Sequence, residues 1–399
     1  MKFTKRLDQI SASPTMAVMQ AAQKLKKQGI DVIDLGPGEP DFPTPESIKE
    51  AGIAAIRENF TKYTAAAGIQ ELRQAVADQY NRQWGTDFSV ANVVISCGAK
   101  HSIYNVCMAM FEEGDEVLLP APYWVTFPEA IKMTGALPQE LTVPEEKGFI
   151  LGVEDVEPRI GSNTRGLIVT TPNNPTGAVI PGPMLEKLVN LVRSREVFTL
   201  FDECYDFFVY GGKSHVSAAS FVGPSDDFFA ILGSVSKTYS MTGWRIGYCI
   251  AHPELIKKIA EFQSHQTGNP TSISQKAALF ALGTDRELIN EMKQEYEKRR
   301  DFVLPALQGI DGISCVQPDG AFYLFPHVGE CMRKMGIETS EEFSKFLIQE
   351  ARVATVPGSA FGMEGYIRIS YATSMENLKE AMIRIKQAVS GENNRAIEQ

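Results

Sequence analysis

The stretch "FFAILGSVSK" occupies residues 228–237 and decides the fold. It begins as an unbroken apolar run, stops at Gly233, and delivers two serines and a lysine. A short continuous apolar run closed by glycine reads as a strand buried on both faces. Working outward, the runs "NVVIS" (92–96), "DEVLLP" (115–120), "RGLIVTTP" (165–172), "VFTLFDE" (197–203) and "RIGYCIA" (245–251) have the same character. Between them, "KHSIYNVCMAMFEEG" and "GPMLEKLVNLVRSRE" carry apolar residues every three or four positions, the pattern of an amphipathic helix. Alternating strands and helices predict an α/β fold, with a mostly parallel central sheet flanked by helices.

After about residue 285 the pattern changes. "DRELINEMKQEYEKRRDFVLPALQGI" predicts a long charged helix, with a break near Pro305. "ISCVQPDGAFYLFPHV", a helix near 340–350, "VATVPG", "YIRISYA" and a final helix follow, which together predict a smaller α+β domain. The expected division is a large domain over 46–285 and a small domain made of 1–45 with 286–399. A chain of 399 residues is long enough for both.

Composition narrows the function. The chain is 44% hydrophobic and 22% charged, an ordinary globular balance, with a net charge of −10. That charge disfavours a nucleic-acid surface, which needs a basic face. It leaves room for a small anion held by a few placed cations. No apolar stretch approaches the roughly 18 residues of a membrane span. Six cysteines without C-x-x-C spacing read as free thiols of a reducing compartment. Five histidines form no metal-ligand motif. The opening "MKFTKRLDQISASP" lacks the apolar core of a signal peptide, so a cytoplasmic location is expected.

In an open α/β sheet, ligands bind beyond the carboxyl ends of the strands. Here five strands run into polar groups: Gly98-Ala99-Lys100, "APYW" with Trp124, "NNPTG" with Asn174, Asp202 with Tyr205, and Ser234, Ser236 and Lys237. "SCGAKHSIYN" reads as strand, tight turn and helix start; alone this is ordinary punctuation, but helix amides also hold phosphate well. Ser234, Ser236 and Arg245 add hydroxyls and a cation for the same phosphate. A lysine in a dry site is a nucleophilic amine able to form a Schiff base, although Lys237 alone reads equally as a surface residue past the strand end. Asp202 closes a very apolar strand, so its carboxylate needs a cation or donors: a protonated pyridine nitrogen or a helix cap would each serve. Arg368, in an otherwise apolar run, either seeks an anion or faces water at an edge.

Six ordered motifs then carry a resemblance. "GPGEPDFPTP" (36–45), "YTAAAGIQELR" (63–73), "NNPTG" (173–177), "DECY" (202–205), "SVSKTYSMTGWRIGY" (234–248) and "RISYA" (368–372) resemble the class I aminotransferases, fold-type I pyridoxal-phosphate enzymes, over nearly the whole chain. The resemblance implies pyridoxal 5'-phosphate as cofactor, amino acids and 2-oxo acids as small-molecule partners, and a homodimer. It implies that Lys237 holds the cofactor and shuttles the proton at the substrate α-carbon. Asp202 would pair with the pyridine nitrogen, Tyr205 and Asn174 with the ring oxygen, and Trp124 and Cys204 with the two ring faces. Gly98, Ala99, Ser234, Ser236 and Arg245 would hold the phosphate, joined by Tyr63 of the neighbouring subunit. Arg368 and the backbone near Gly38 would hold the substrate α-carboxylate.

Lys100 matches a position where a bacterial subgroup resembling aspartate aminotransferase carries a lysine for the distal substrate carboxylate. A second carboxylate entering a dry pocket needs such a cation. The implied reaction is L-aspartate with 2-oxoglutarate to oxaloacetate and L-glutamate. The alternative is an aminotransferase for aromatic or other amino acids, or prephenate, on the same fold; β-elimination and a non-catalytic effector-binding module are more distant readings. Ser13 and Thr15 match the subgroup's entrance segment. Its prephenate users carry a base near the position of Ser11, where this chain has none, although Arg6 lies close by in sequence.

Overall fold

The computed structural model describes residues 4–12, 14–285 and 287–391. Its centre is a seven-stranded sheet. In chain order the strands are β1 (Val93–Ser96), β2 (Glu116–Ala121), β3 (Leu137–Thr142), β4 (Thr164–Thr170), β5 (Phe198–Asp202), β6 (Phe229–Ser234) and β7 (Gly247–Ala251). Across the sheet they run β1-β7-β6-β5-β4-β2-β3. All pairings are parallel except those of β7, which is antiparallel to both β6 and β1. With β7 reversed between them, β1 and β6 point the same way. Five of the carboxyl ends named from sequence therefore lie at one edge.

The continuous apolar runs follow from burial on both faces. Val93 and Ile95 of β1 pack into one core with Phe201 of β5, while Val94 packs into a second core with Phe198 and Leu200. The sides of the sheet alternate with the period of two that strand geometry imposes. Only β3 departs: most of "LPQELT" is exposed or half-buried, as suits an edge strand.

Two small sheets complete the fold. Val356–Pro357, Ile367–Ser370 and Tyr323–Leu324 form an antiparallel trio. Ile33–Asp34 pairs in parallel with Val353–Ala354, joining the N-terminal segment to the C-terminal region. The expected break near Pro305 does not occur, for the helix Glu287–Gln308 runs through it. A proline so near a helix end removes one backbone bond in the last turn, which the packed chain tolerates. Arg245 does not open a strand, as its run had suggested. It sits at φ 57°, and β7 begins at Gly247.

Candidate active site

The helix Ala99–Met110 starts directly after β1, with Gly98 as its N-cap at φ 86° and no side chain capping it. Its first amides therefore project beyond the sheet edge without partners from the helix itself. Arg245 donates to the Cys97 carbonyl at 3.2 Å and to the Thr242 carbonyl at 2.9 Å. A Cβ on Gly98 would overlap the Arg245 guanidinium, and one on Gly247 would overlap the Ala99 nitrogen. Both glycines thus allow turn, helix start and cation to close up. Ser234 and Ser236, both buried, add hydroxyls from the end of β6. Helix amides, dipole, guanidinium and hydroxyls make a cradle for an anion.

Asp202 ends β5 and is buried, with Oδ1 accepting from the Cys204 amide at 3.1 Å. Burial raises its carboxyl, and the Cys204 bonds offset only part of that. A buried carboxylate so weakly compensated favours a cationic partner. Lys237 donates to the Gly38 carbonyl and shares the cavity. Burial pulls its ammonium from the ordinary 10.5 down to about 8, against the opposing pull of Cys204 and Glu39.

Arg368 is 1% exposed. Its guanidinium donates to Asn174 Oδ1 at 2.9 Å and to the Gly36 carbonyl at 2.6 Å. Its Nε has no hydrogen-bond partner, and no carboxylate pairs with it among the described residues. It lies 4.5 Å over the Tyr323 ring, and the Tyr323 and Tyr205 hydroxyls meet at 2.7 Å. Burial lowers the guanidinium's proton affinity, although the two tyrosines oppose that. A fully desolvated guanidinium without a counter-ion is a receptor for a carboxylate. Gly38 lies against it: a Cβ there would stand 2.9 Å from the Tyr323 hydroxyl.

Lys100, in the first turn of the helix, lies 4.9 Å over the Trp124 ring. Burial lowers its ammonium, and Arg245 adds to the effect. One cavity of about 480 Å³ is lined by Gly38, Ala99, Lys100, Trp124, Asn174, Asp202, Cys204, Tyr205, Ser234, Ser236, Lys237, Arg245 and Arg368. Among the described residues no cluster of His, Cys, Asp or Glu could hold a metal ion.

The family model of class I and II aminotransferases matches residues 30–385. The chain belongs to that family. A probable aspartate/prephenate aminotransferase of Aquifex aeolicus is 43% identical over 97% of this chain and 98% of its own length. An aspartate aminotransferase of Bacillus subtilis is 39% identical over 98% and 99%. The solved aspartate aminotransferase of Thermus thermophilus with maleate superposes with a TM-score of 0.91 at 36% identity, over 97% of this chain and 100% of that one.

In this aminotransferase the cavity gathers nearly all the residues named from sequence. Gly98 stands just behind it, against Arg245. Tyr63 is apart, 96% exposed on the surface. Thr15 lines the cavity, as do Met16 and Met19, whereas Ser13 and the Arg6 side chain lie outside the described residues. Sequence reasoning missed Tyr323, Glu39 and Thr242, which also line it. Glu39 accepts from the Thr242 hydroxyl at 2.9 Å, tying "GPGEP" to the loop that carries Arg245. Its place inside an already quoted motif was the available signal; Tyr323 offered none.

Proposed function

We propose that this aminotransferase uses pyridoxal 5'-phosphate to move the amino group of L-aspartate to 2-oxoglutarate, giving oxaloacetate and L-glutamate. The observation that carries the reading is one cavity holding the buried Arg368 and the partly desolvated, solvent-accessible Lys100, together with Lys237. Two cations match the two carboxylates of aspartate, and the maleate of the Thermus structure is a dicarboxylate as well. The names of the Bacillus and Thermus relatives support the same substrate.

The residues present fit the cofactor. The buried, weakly compensated Asp202 suits a protonated ring nitrogen, and the Gly98–Arg245 cradle suits a phosphate. Ala99, Ser234, Ser236 and Arg245 would hold that phosphate, Tyr205 and Asn174 the ring oxygen, and Trp124 and Cys204 the ring faces. The cofactor, when bound, supplies an aldehyde that captures amines and a ring that withdraws electrons. Lys237, with its ammonium brought down to about 8, is the amine and the proton carrier at the substrate α-carbon. Arg368 orients the α-carboxylate, and Lys100 receives the distal one and disfavours apolar side chains. The segment around Gly38 covers the α-carboxylate end.

A homodimer fits the exposed Tyr63, which would reach the partner's phosphate. Ile53 and Ile56, with Phe280 on the helix packed against theirs, are exposed apolar groups such an interface would cover. The division into 46–285 and 1–45 with 286–399 is supported by the pairing of residues 33–34 with 353–354. No described helix is long and apolar enough to cross a membrane, and free cysteines suit the cytoplasm.

The experiment is an absorbance spectrum of purified protein, before and after aspartate, with no oxo acid added. A chromophore that changes with aspartate, and that borohydride fixes to Lys237, is expected. A colourless protein that the cofactor cannot reconstitute would refute the proposal.

A further inference from the structure

His101 lies in "SCGAKHSIYN" without a role assigned to it above, yet it grips the phosphate cradle from behind. Its Nδ1 accepts a hydrogen bond from the Cys97 amide at 3.2 Å, and its Nε2 meets Gln266 Oε1 at 2.9 Å. The two contacts select one state of the ring. A ring nitrogen that accepts from an amide carries no proton, so the proton sits on Nε2 and is donated to the glutamine oxygen. The other side of Cys97 is held as well, since its carbonyl accepts from Arg245 at 3.2 Å. The turn is thus clamped at its amide by His101 and at its carbonyl by Arg245. The next residue is Gly98, at φ 86°, whose position sets the helix amides and the guanidinium against each other.

We propose that neutral His101 is a positioning residue for the phosphate site, and that protonating its ring loosens the Cys97–Gly98 turn and weakens cofactor retention. The inference rests on the cofactor reading above. A protonated ring presents an N–H to the N–H of Cys97, so the bond becomes a donor facing a donor. The charged and titratable groups around the ring come from three elements. Lys100 precedes the ring on its own helix, with its ammonium over Trp124, and Arg245 holds the Cys97 carbonyl, on the next peptide. Gln266, from the turn after the helix Pro253–Ser264, is neutral, with His265 just before it. The remaining titratable group of the turn is the Cys97 thiol. No carboxylate bonds the ring among the described residues.

The test compares holoenzyme with His101→Gln and His101→Ala. Glutamine offers an acceptor that does not titrate, and alanine offers none. Cofactor dissociation is measured by dialysis and absorbance at about pH 8 and about pH 5.5, the range in which histidine changes charge. At the higher pH, His101→Ala should hold the cofactor about tenfold more weakly than wild type, and His101→Gln within about twofold of it. On acidification, wild type should lose more affinity than His101→Gln, which shares every other titration, that of the phosphate included. Nitrogen-15 shifts of the His101 ring should report the Nε2–H form at the higher pH. Matching pH profiles for wild type and His101→Gln, full retention by His101→Ala, or an Nδ1–H ring would each overturn the inference. Cofactor binding by no variant, wild type included, would instead overturn the parent reading and this one with it.

Discussion

Replacing Lys237 by methionine should stabilise the cofactor-stripped protein at neutral pH. The magnitude follows from the site. Burial takes the ammonium from 10.5 to about 8. Each tenfold change in proton affinity is worth about 1.4 kcal/mol, so the charged lysine costs the fold about 3 kcal/mol, an order-of-magnitude figure. Methionine keeps the length and removes the charge, at the loss of one bond to the Gly38 carbonyl, roughly 1 kcal/mol. The net gain at pH 7 is therefore about 2 kcal/mol.

The sign against pH is fixed by the same shift. Between about 8 and 10.5 the unfolded chain binds the Lys237 proton and the folded chain does not, so wild-type stability rises with pH through that window. Below it both states are protonated and the full penalty stands; above it neither is. The advantage of Lys237→Met should thus be greatest below pH 8 and fade toward 10.5. Thermal midpoints of both stripped proteins, scanned from neutral to alkaline pH, measure it, with a rise of a few degrees expected at neutral pH. An advantage that did not fade with pH would mean that the gain comes from packing. A methionine variant less stable than wild type at pH 7 would mean the amine is not desolvated, and the argument for its reactivity would fall.

Two further outcomes test the rest of the site. Lys100→Ala should reduce kcat/KM for aspartate by about tenfold while leaving alanine or phenylalanine within a few fold, as loss of a partly desolvated carboxylate partner implies; an equal loss for all substrates contradicts its role. Gly98→Ala should weaken cofactor binding by more than about tenfold, since the new methyl group overlaps the Arg245 guanidinium and the backbone sits at φ 86°; dialysis against cofactor reads it, and unchanged affinity would remove Gly98 from the cradle.

The central sheet is legible because its strands are buried on both faces, and so print continuous apolar runs with polar groups where each one stops. Edge strand β3 is not, because "LPQELT" carries proline and glutamate and buries little. The site is legible where a charged residue ends an apolar strand, as with Asp202 and Lys237. Tyr323 is not, for it sits in "AFYLF" among core aromatics, and only tertiary packing sets its hydroxyl against Tyr205. Arg245 is half legible: its charge points to an anion site, but neither its left-handed backbone nor its guanidinium's bond to the distant Cys97 carbonyl is encoded in the local pattern. The role of His101 is not legible either, since one of its two partners, Gln266, lies on a distant turn.

A net charge of −10 would repel a dicarboxylate and a phosphate if it acted alone, and local desolvation resolves the conflict. Lys100, Lys237, Arg245 and Arg368 all line one cavity, against the carboxylates of Asp202 and Glu39. Net charge acts through solvent and is screened within about 10 Å at ordinary salt, whereas the desolvated Lys237 and Arg368 act at short range and are screened little. The same desolvation that lowers the proton affinities of Lys100, Lys237 and Arg368 makes each a stronger receptor for an anion. An arrangement that costs the fold stability is thus one that bound anions relieve, so ligands should raise the thermal midpoint in proportion to the carboxylates and phosphates they bring. Inorganic phosphate should stabilise through the Gly98–Arg245 cradle alone, and a dicarboxylate through Arg368 and Lys100 together. The two increments should fall short of adding, because Lys100 and Arg245, which receive them, interact.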